Sequence, residues 1–206
     1  MPQADLVIVD EAHHAPADTY RRVLAKYPDA IVIGLSATPC RKDGRGLGNL
    51  FEVLIECPQI AELIDGKYLV PTIIYAPTTP DLRGVRTQAG DYVESQLAER
   101  MDKAELIGDI VTHWHRHAER RRTVVFATNV AHSIHLRDEF VKSGVKAEHL
   151  DGSTPTEDRD AILRRLANGD TEVICNCAIL CEGWDSPEVS CLVLGRPTKS
   201  LGCFAR

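Results

Sequence analysis

The sequence predicts an α/β fold in which helices cover both faces of parallel sheets. Short apolar runs, rich in β-branched residues, alternate along the chain with helical patterns of ten or more residues. The apolar runs lack polar alternation, which is typical of strands that are buried on both faces. One of them, Leu6–Val9, ends abruptly in two carboxylates and two histidines. Open parallel sheets bind ligands at this end of their strands, so a functional site is expected there.

The first half of the chain contains a strand–helix–strand unit. Leu6–Val9 and Ala30–Leu35 are the strands, and Ala17–Tyr27 is the helix between them. A short return between two such strands predicts parallel pairing through a right-handed crossover. The remaining elements predicted in this half are a glycine-rich, charged loop over Pro39–Asn49, a strand at Val53–Glu56, a helix near Gln59–Asp65 and a strand at Val70–Ala76.

A stretch with little apolar content, Pro77–Gly90, predicts an exposed linker. The predicted domains are therefore residues 1–76 and 91–206, joined by the linker 77–90. The second domain repeats the alternation of helices and strands on a larger scale. Its predicted helices are Tyr92–Met101, Ala104–Arg120, Ala131–Ser143 and Pro155–Asn168, and its predicted strands are Thr123–Thr128, Ala147–Leu150, Glu172–Asn176 and Ser190–Leu194.

Composition narrows the class of protein. With 206 residues, 44% hydrophobic and 26% charged, the chain has the makeup of a globular protein of one or two domains. Its net charge of −6 argues against a wholly basic nucleic-acid wrapper, but it allows a local phosphate-binding groove. The apolar runs are far shorter than a membrane span, and no secretory signal is visible at the start. We therefore expect no membrane association and a cytoplasmic location.

The seven cysteines do not indicate a disulfide framework or a metal centre. Their number is odd, and the cluster from Cys175 to Cys181 lacks the C-x-x-C spacing of a zinc site. These cysteines are interpreted as small apolar residues in or beside a buried strand. The adjacent pair His13 and His14 likewise lacks the H-E-x-x-H spacing of a metal site.

Three motifs occur in a fixed order along the chain. They are Asp10-Glu-Ala-His13 at one strand end, Ser36-Ala-Thr38 at the next, and Cys181-Glu-Gly-Trp-Asp185 followed by Pro187. In this order the chain resembles the DEAH/DEAD-type superfamily 2 helicases, especially those of DNA repair and restriction, over nearly its whole length. The resemblance implies RecA-like units with the three-layer α/β/α architecture of P-loop NTPases. The first unit would be partial and the second nearly complete.

The resemblance assigns catalytic roles to the first unit. Asp10 would hold Mg²⁺ through its water shell, and Glu11 would orient the water that attacks the γ-phosphate of ATP. His13 would couple hydrolysis to motion, and Ser36, Ala37 and Thr38 would link the carboxylates to closure of the two units. The alternative to a catalytic role is that Asp10 and Glu11 simply cap the helix that follows.

In the second unit, the resemblance assigns Gly183 and Asp185 to nucleotide binding. It assigns Thr128 and Asn129, which follow an apolar strand, and Gly152 and Thr154 to contact with the nucleic-acid backbone. Short hydroxyl and backbone N–H donors suit such sequence-independent phosphate contact. Asp151-Gly152 could instead be an ordinary turn.

The pattern departs from the family at both ends. No G-x-x-x-x-G-K-[ST] loop occurs in the sequence, and the chain stops before a Q-x-x-G-R-x-x-R arginine motif. We therefore expect negligible ATP hydrolysis by this polypeptide alone, with ATP and Mg²⁺ as cofactors of the full-length parent. We also expect an exposed sheet edge in the first unit, which another chain covers or through which copies associate.

The predicted parent activity is ATP-driven movement along DNA and separation of its strands. His13 and the basic, glycine-rich loop Arg41–Gly46 favour DNA over RNA within the resemblance. Two alternatives remain open. The chain could be a non-catalytic remnant that binds DNA or a partner, or part of an RNA helicase.

Overall fold

The computed structural model describes residues 2–37, 46–76, 78–88, 90–181 and 183–199. These residues form two compact units, with the division between residues 76 and 77. Each unit contains parallel strands that are joined through helices. The predicted α/β class is confirmed.

Unit 1, residues 2–76, is built around two parallel strands. Strand β1 (Leu6–Val9) pairs with β2 (Ile31–Gly34), and the helix between them is α1 (Asp18–Leu24). A 3-10 helix, Ala12–His14, follows β1 directly, and α2 (Ile60–Asp65) lies farther along the chain.

Only one face of the β1–β2 sheet is covered. Val7 and Val32, which are paired across the ladder, pack in a small cluster around Val9 and Ala12. The alternating residues face the other way and stay open. They are Leu6, Ile8, Ile31 and Ile33, whose exposed fractions are 48%, 59%, 68% and 43%.

Two predicted strands of unit 1 are wrong. Residues 53–56 and 70–76 are all described, and they form no strand. Val53, Ile55 and Ile73 are more than three-quarters exposed. A strand needs a ladder partner for its backbone groups, and an apolar run cannot supply that partner by itself.

Unit 2, residues 78–199, begins with a hairpin of β3 (Thr87–Gln88) and β4 (Asp91–Tyr92) inside and just after the predicted linker. A four-stranded parallel sheet follows, with the strand order β6-β7-β5-β8. Its strands are β5 (Thr123–Phe126), β6 (Ala147–Leu150), β7 (Val173–Asn176) and β8 (Cys191–Leu194), and the helices are α3 (Glu94–Met101), α4 (Ala104–His117), α5 (Val130–Lys142) and α6 (Thr156–Asn168).

Helices cover both faces of this larger sheet. On one face, Val125 and Cys175 pack beneath α4 and α5, against Trp114 and Phe140. Burial raises the pKa of the Cys175 thiol, so this cysteine packs as a neutral, apolar side chain, as its sequence context predicts.

On the opposite face, Val124 and Ile174 are paired across the ladder and pack under α6 against Leu166. Because successive residues of a strand point to opposite faces, two cores need strands that are apolar at every position. This requirement explains the apolar runs Val124–Phe126 in β5 and Val173–Cys175 in β7.

Candidate functional site

The carboxylates of unit 1 lie in a tight turn where β1 ends. Val9 is buried at the last position of the strand, and Asp10, the next residue, is exposed. A carboxylate oxygen of Asp10 accepts the Glu11 backbone N–H at 2.9 Å. Glu11 has a φ of 48° and a ψ of 50°, a left-handed conformation that is uncommon for a residue with a side chain. Such strained residues concentrate at functional sites.

Backbone hydrogen bonds join this turn to the end of β2. Leu35 donates its N–H to the Val9 carbonyl at 2.9 Å, and Ala12 donates to the Leu35 carbonyl at 2.8 Å. A Cβ atom added at Gly34 would lie 2.6 Å from the Phe51 ring and 2.8 Å from Ala12 Cβ. Glycine at this position therefore lets the 3-10 helix and Phe51 pack directly against β2.

His13 is the centre of the site. Its ring is buried, and Nδ1 lies 3.2 Å from Glu11 Oε2 and 3.2 Å from Ser36 Oγ. One imidazole nitrogen thus lies within reach of both a carboxylate at the end of β1 and a hydroxyl just after β2. Ala37 is exposed beside Ser36, and Thr38 lies outside the described residues. The structure brings Glu11, His13 and Ser36 together.

In unit 2, Thr128 and Asn129 follow β5 at the carboxyl edge of the sheet. Thr128 is fully buried, and its hydroxyl lies 2.9 Å from His132 Nδ1. Asn129 caps α5, because its side-chain oxygen accepts the His132 N–H at 2.8 Å. Both side chains have intramolecular partners in this structure, which their position in the sequence did not reveal.

Gly152 and Thr154 follow β6 at the same edge. The Thr154 hydroxyl accepts the Asp151 N–H at 3.0 Å, while Gly152 is exposed. Asp151 accepts from the backbone N–H of Ser153 at 2.8 Å and from its hydroxyl at 2.7 Å. These hydrogen bonds lower the pKa of Asp151 to about 2, so the carboxylate is ionised at neutral pH.

A series of polar contacts connects the turn at Asp151 to helix α5. His149 Nδ1 lies 2.8 Å from the buried Ser133 hydroxyl of α5, and its Nε2 lies 3.4 Å from Asp151. Sequence reasoning missed this network. The available signal was a histidine two residues before an aspartate at a strand end, but its serine partner lies on another element.

Gly183 and Asp185 lie in the connection between β7 and β8. Gly183 has a φ of 69°, which favours glycine. Asp185 and its neighbour Trp184 line an open groove of about 430 Å³ against α6, together with Asp160 and Arg164. Asp185 therefore lies beside α6 in this structure.

Comparisons with known proteins show similarity to helicases. Residues 102–203 match the model of the helicase conserved C-terminal domain, and residues 2–41 match that of the type III restriction enzyme res subunit. A 51.5 kDa protein of a Lactococcus phage is 34% identical over 97% of this chain and 44% of its own length. The putative ATP-dependent helicase IRC3 of Saccharomyces cerevisiae is 34% identical over 95% of this chain and 30% of its own length.

A solved structure has the same fold over most of the chain. Saccharomyces cerevisiae Dbp5 bound to RNA and ADP BeF3 matches 95% of this chain and 46% of its own, with a TM-score of 0.51 and 16% identity. The chain belongs to the superfamily 2 helicases, and it spans less than half the length of the curated relatives named above. Among the described helices, none is long and apolar enough to cross a membrane.

Proposed function

We propose that this chain contributes to an ATP-dependent helicase or translocase that moves on DNA. The observation that carries the proposal is the position of His13 between Glu11 and Ser36. A histidine that contacts both groups can respond to a change at one of them and transmit it to the other. The helicase family models and the helicase name of the yeast relative support the same activity.

Asp10 has the properties of a carboxylate that binds Mg²⁺ through water. It is exposed at the end of β1, and the Glu11 N–H fixes its orientation. Mg²⁺ retains several waters in proteins and is typically held by one or two carboxylates plus substrate phosphates. In the proposed mechanism, Asp10 would hold Mg²⁺, which would supply positive charge to the phosphates of ATP, and the Glu11 carboxylate would orient the attacking water.

Glu11 is already directed by its surroundings. Its backbone conformation and the contact with His13 Nδ1 fix the carboxylate at the mouth of the turn. A general base must lie within hydrogen-bond reach of the proton that it accepts. The contact with His13 thus keeps Glu11 in a defined orientation, and Ser36 shares the same imidazole nitrogen.

The test is the ATPase rate of the chain expressed together with the coding sequence that flanks it, with and without single-stranded DNA. We expect DNA-stimulated hydrolysis that falls by about 10²–10⁴ in Glu11→Gln, the range for loss of a general base. Glu56→Gln changes an exposed carboxylate of the same unit and is expected to leave the rate unchanged. Equal rates for both variants would contradict the role of Glu11.

We propose further that the 206-residue chain alone hydrolyses ATP negligibly. Backbone N–H groups and a lysine of a glycine-rich loop supply the main phosphate donors in P-loop NTPases, and the sequence contains no such loop. A phosphate-release assay on the isolated chain is expected to stay at background. Robust turnover would contradict this statement.

DNA is the proposed nucleic-acid substrate. Stimulation of the ATPase by RNA instead of DNA would favour the RNA helicase alternative. The proposed compartment is the cytoplasm.

Copies of the isolated chain are proposed to associate through the open sheet of unit 1, where four large apolar side chains are exposed on one face. Size-exclusion chromatography with light scattering tests this, and a monomer at high concentration would contradict it.

A further inference from the structure

The carboxylate of Asp91, in the β3–β4 hairpin, accepts hydrogen bonds from a segment more than a hundred residues away in the sequence. Its Oδ2 accepts the Thr198 hydroxyl at 2.9 Å, and its Oδ1 accepts the Lys199 backbone N–H at 2.9 Å. The Arg196 guanidinium is 3.8 Å from Oδ2. Three residues of the chain that leaves β8 are therefore directed at a single side chain.

The hairpin is a fixed base for these contacts. Val93 donates its N–H to the Arg86 carbonyl at 2.8 Å, and Arg86 donates its own N–H to the Gln96 side chain of α3 at 2.8 Å. The neighbour of Asp91, Tyr92, adds a second contact, because Lys199 Nζ lies 4.9 Å from the centre of its ring. A cation over an aromatic face at this distance is an attractive interaction.

The other end of the segment is fixed by Gly195. A Cβ atom at this position would lie 3.0 Å from the Phe126 carbonyl oxygen, so glycine allows the chain to pass close to the end of β5. Residues 196–199 are thus held between the main sheet and the hairpin.

Asp91 carries its charge in this setting. Burial alone would raise its pKa, but the hydrogen bonds from Lys199, Tyr92 and Thr198 outweigh burial, and the pKa lies below the ordinary value for aspartate. Hydrogen bonds to an ionised acceptor are about twice as strong as those between neutral groups.

We propose that Asp91 is a positioning residue that holds the chain leaving β8, residues 196–199, against the β3–β4 hairpin. This inference rests on the proposed function for its consequence, since the segment 194–200 resembles the approach to the arginine motif of helicases. Through Asp91, the position of residues 196–199 depends on the hairpin that precedes the large sheet of unit 2.

The test is amide hydrogen exchange, measured by mass spectrometry on the whole 206-residue chain and its variants. In Asp91→Ala, peptides over residues 192–199 are expected to exchange about tenfold faster, the effect of losing one charge-assisted hydrogen bond. Asp91→Asn keeps a side-chain oxygen that can accept the Lys199 N–H, so it is expected to restore most of the protection.

Asp81→Ala is the matched control. Asp81 also precedes α3, but its carboxylate accepts hydrogen bonds from Arg83, at 2.7 to 3.1 Å, so its loss should leave the exchange of residues 196–199 unchanged. The inference would be overturned by unchanged exchange in Asp91→Ala, or by an equal acceleration throughout β5 and β7, which indicates general destabilisation. No nucleotide or nucleic acid is needed, so this result is independent of the ATPase test.

Discussion

The two parallel sheets of this chain have similar strands and very different surroundings. β1, β2, β5 and β7 are each four residues long, contain two or three β-branched residues, and pair in parallel. In unit 2, four strands and helices on both faces bury Val124, Val125 and Ile174 completely. In unit 1, two strands leave Ile8 and Ile31 more than half exposed.

This difference in burial shows that the sequence of the strands alone does not make a stable sheet. Burial of apolar surface contributes about 25 cal/mol per Å², and the open face of β1–β2 does not gain it. The unit that carries Asp10 and Glu11 is therefore the less stabilised half. The unit that carries the proposed nucleic-acid contacts has two cores of its own.

The largest predicted effect is in the core of unit 2. Leu136→Ala removes a fully buried side chain of α5 and is expected to destabilise this unit by about 2–5 kcal/mol. Both tryptophans of the chain, Trp114 and Trp184, lie in unit 2, so urea unfolding followed by tryptophan fluorescence reports on this unit.

Val141→Ala is the control for this prediction. Val141 lies on the same helix but is 52% exposed, so its loss is expected to change stability by no more than about 0.5 kcal/mol. Equal costs for the two substitutions would mean that the core of unit 2 is not closed as described.

A smaller effect is expected from helix capping, which differs between α5 and α1. Asn129 caps α5 in unit 2, and Asn129→Ala is expected to cost about 1 kcal/mol in the same unfolding experiment. In unit 1, α1 begins after Ala17, and no side chain among the described residues caps it.

Ala17→Asn should therefore supply a cap to α1 and increase the helical circular-dichroism signal slightly. It is expected to leave the tryptophan-detected transition of unit 2 unchanged. A shift of that transition in Ala17→Asn would show that the two units do not unfold independently.

The last effect is a pH dependence at Asp151. Its folded pKa of about 2 lies below the unfolded value of about 3.9, so its contribution to stability is present above pH 4 and is lost as pH falls through 2. Asp151→Asn should therefore be less stable than the parent at pH 6, and the difference should shrink toward pH 2. A difference that stays constant between these pH values would contradict ionised Asp151 as its cause.

The sequence correctly predicted the strands and helices that depend mainly on the pattern of neighbouring residues. β1 and β6 have the predicted bounds, and the helices of unit 2 agree to within three residues, because apolar periodicity is readable within a short window. The strands predicted at residues 53–56 and 70–76 are wrong, because an apolar run forms a strand only where another strand can pair with it.

The sites show the same limit. The sequence assigned Glu11 and His13 to catalysis and Ser36 to coupling, and in the structure His13 Nδ1 lies 3.2 Å from both Glu11 and Ser36. The roles of these residues in catalysis stay predictions. The contact between Asp91 and Thr198, and that between Ser133 and His149, join residues far apart in sequence, and nothing in the local composition marks them.

Hydrogen exchange of the whole chain near neutral pH tests the central contrast most directly. Amides of β5 and β7 are expected to exchange at least about 10³-fold more slowly than those of β1 and β2, because strands in a closed core open only in global unfolding. Similar protection of the two sheets would contradict the account, since it would mean that the sheet bearing Asp10 and Glu11 is as well stabilised as the sheet of unit 2.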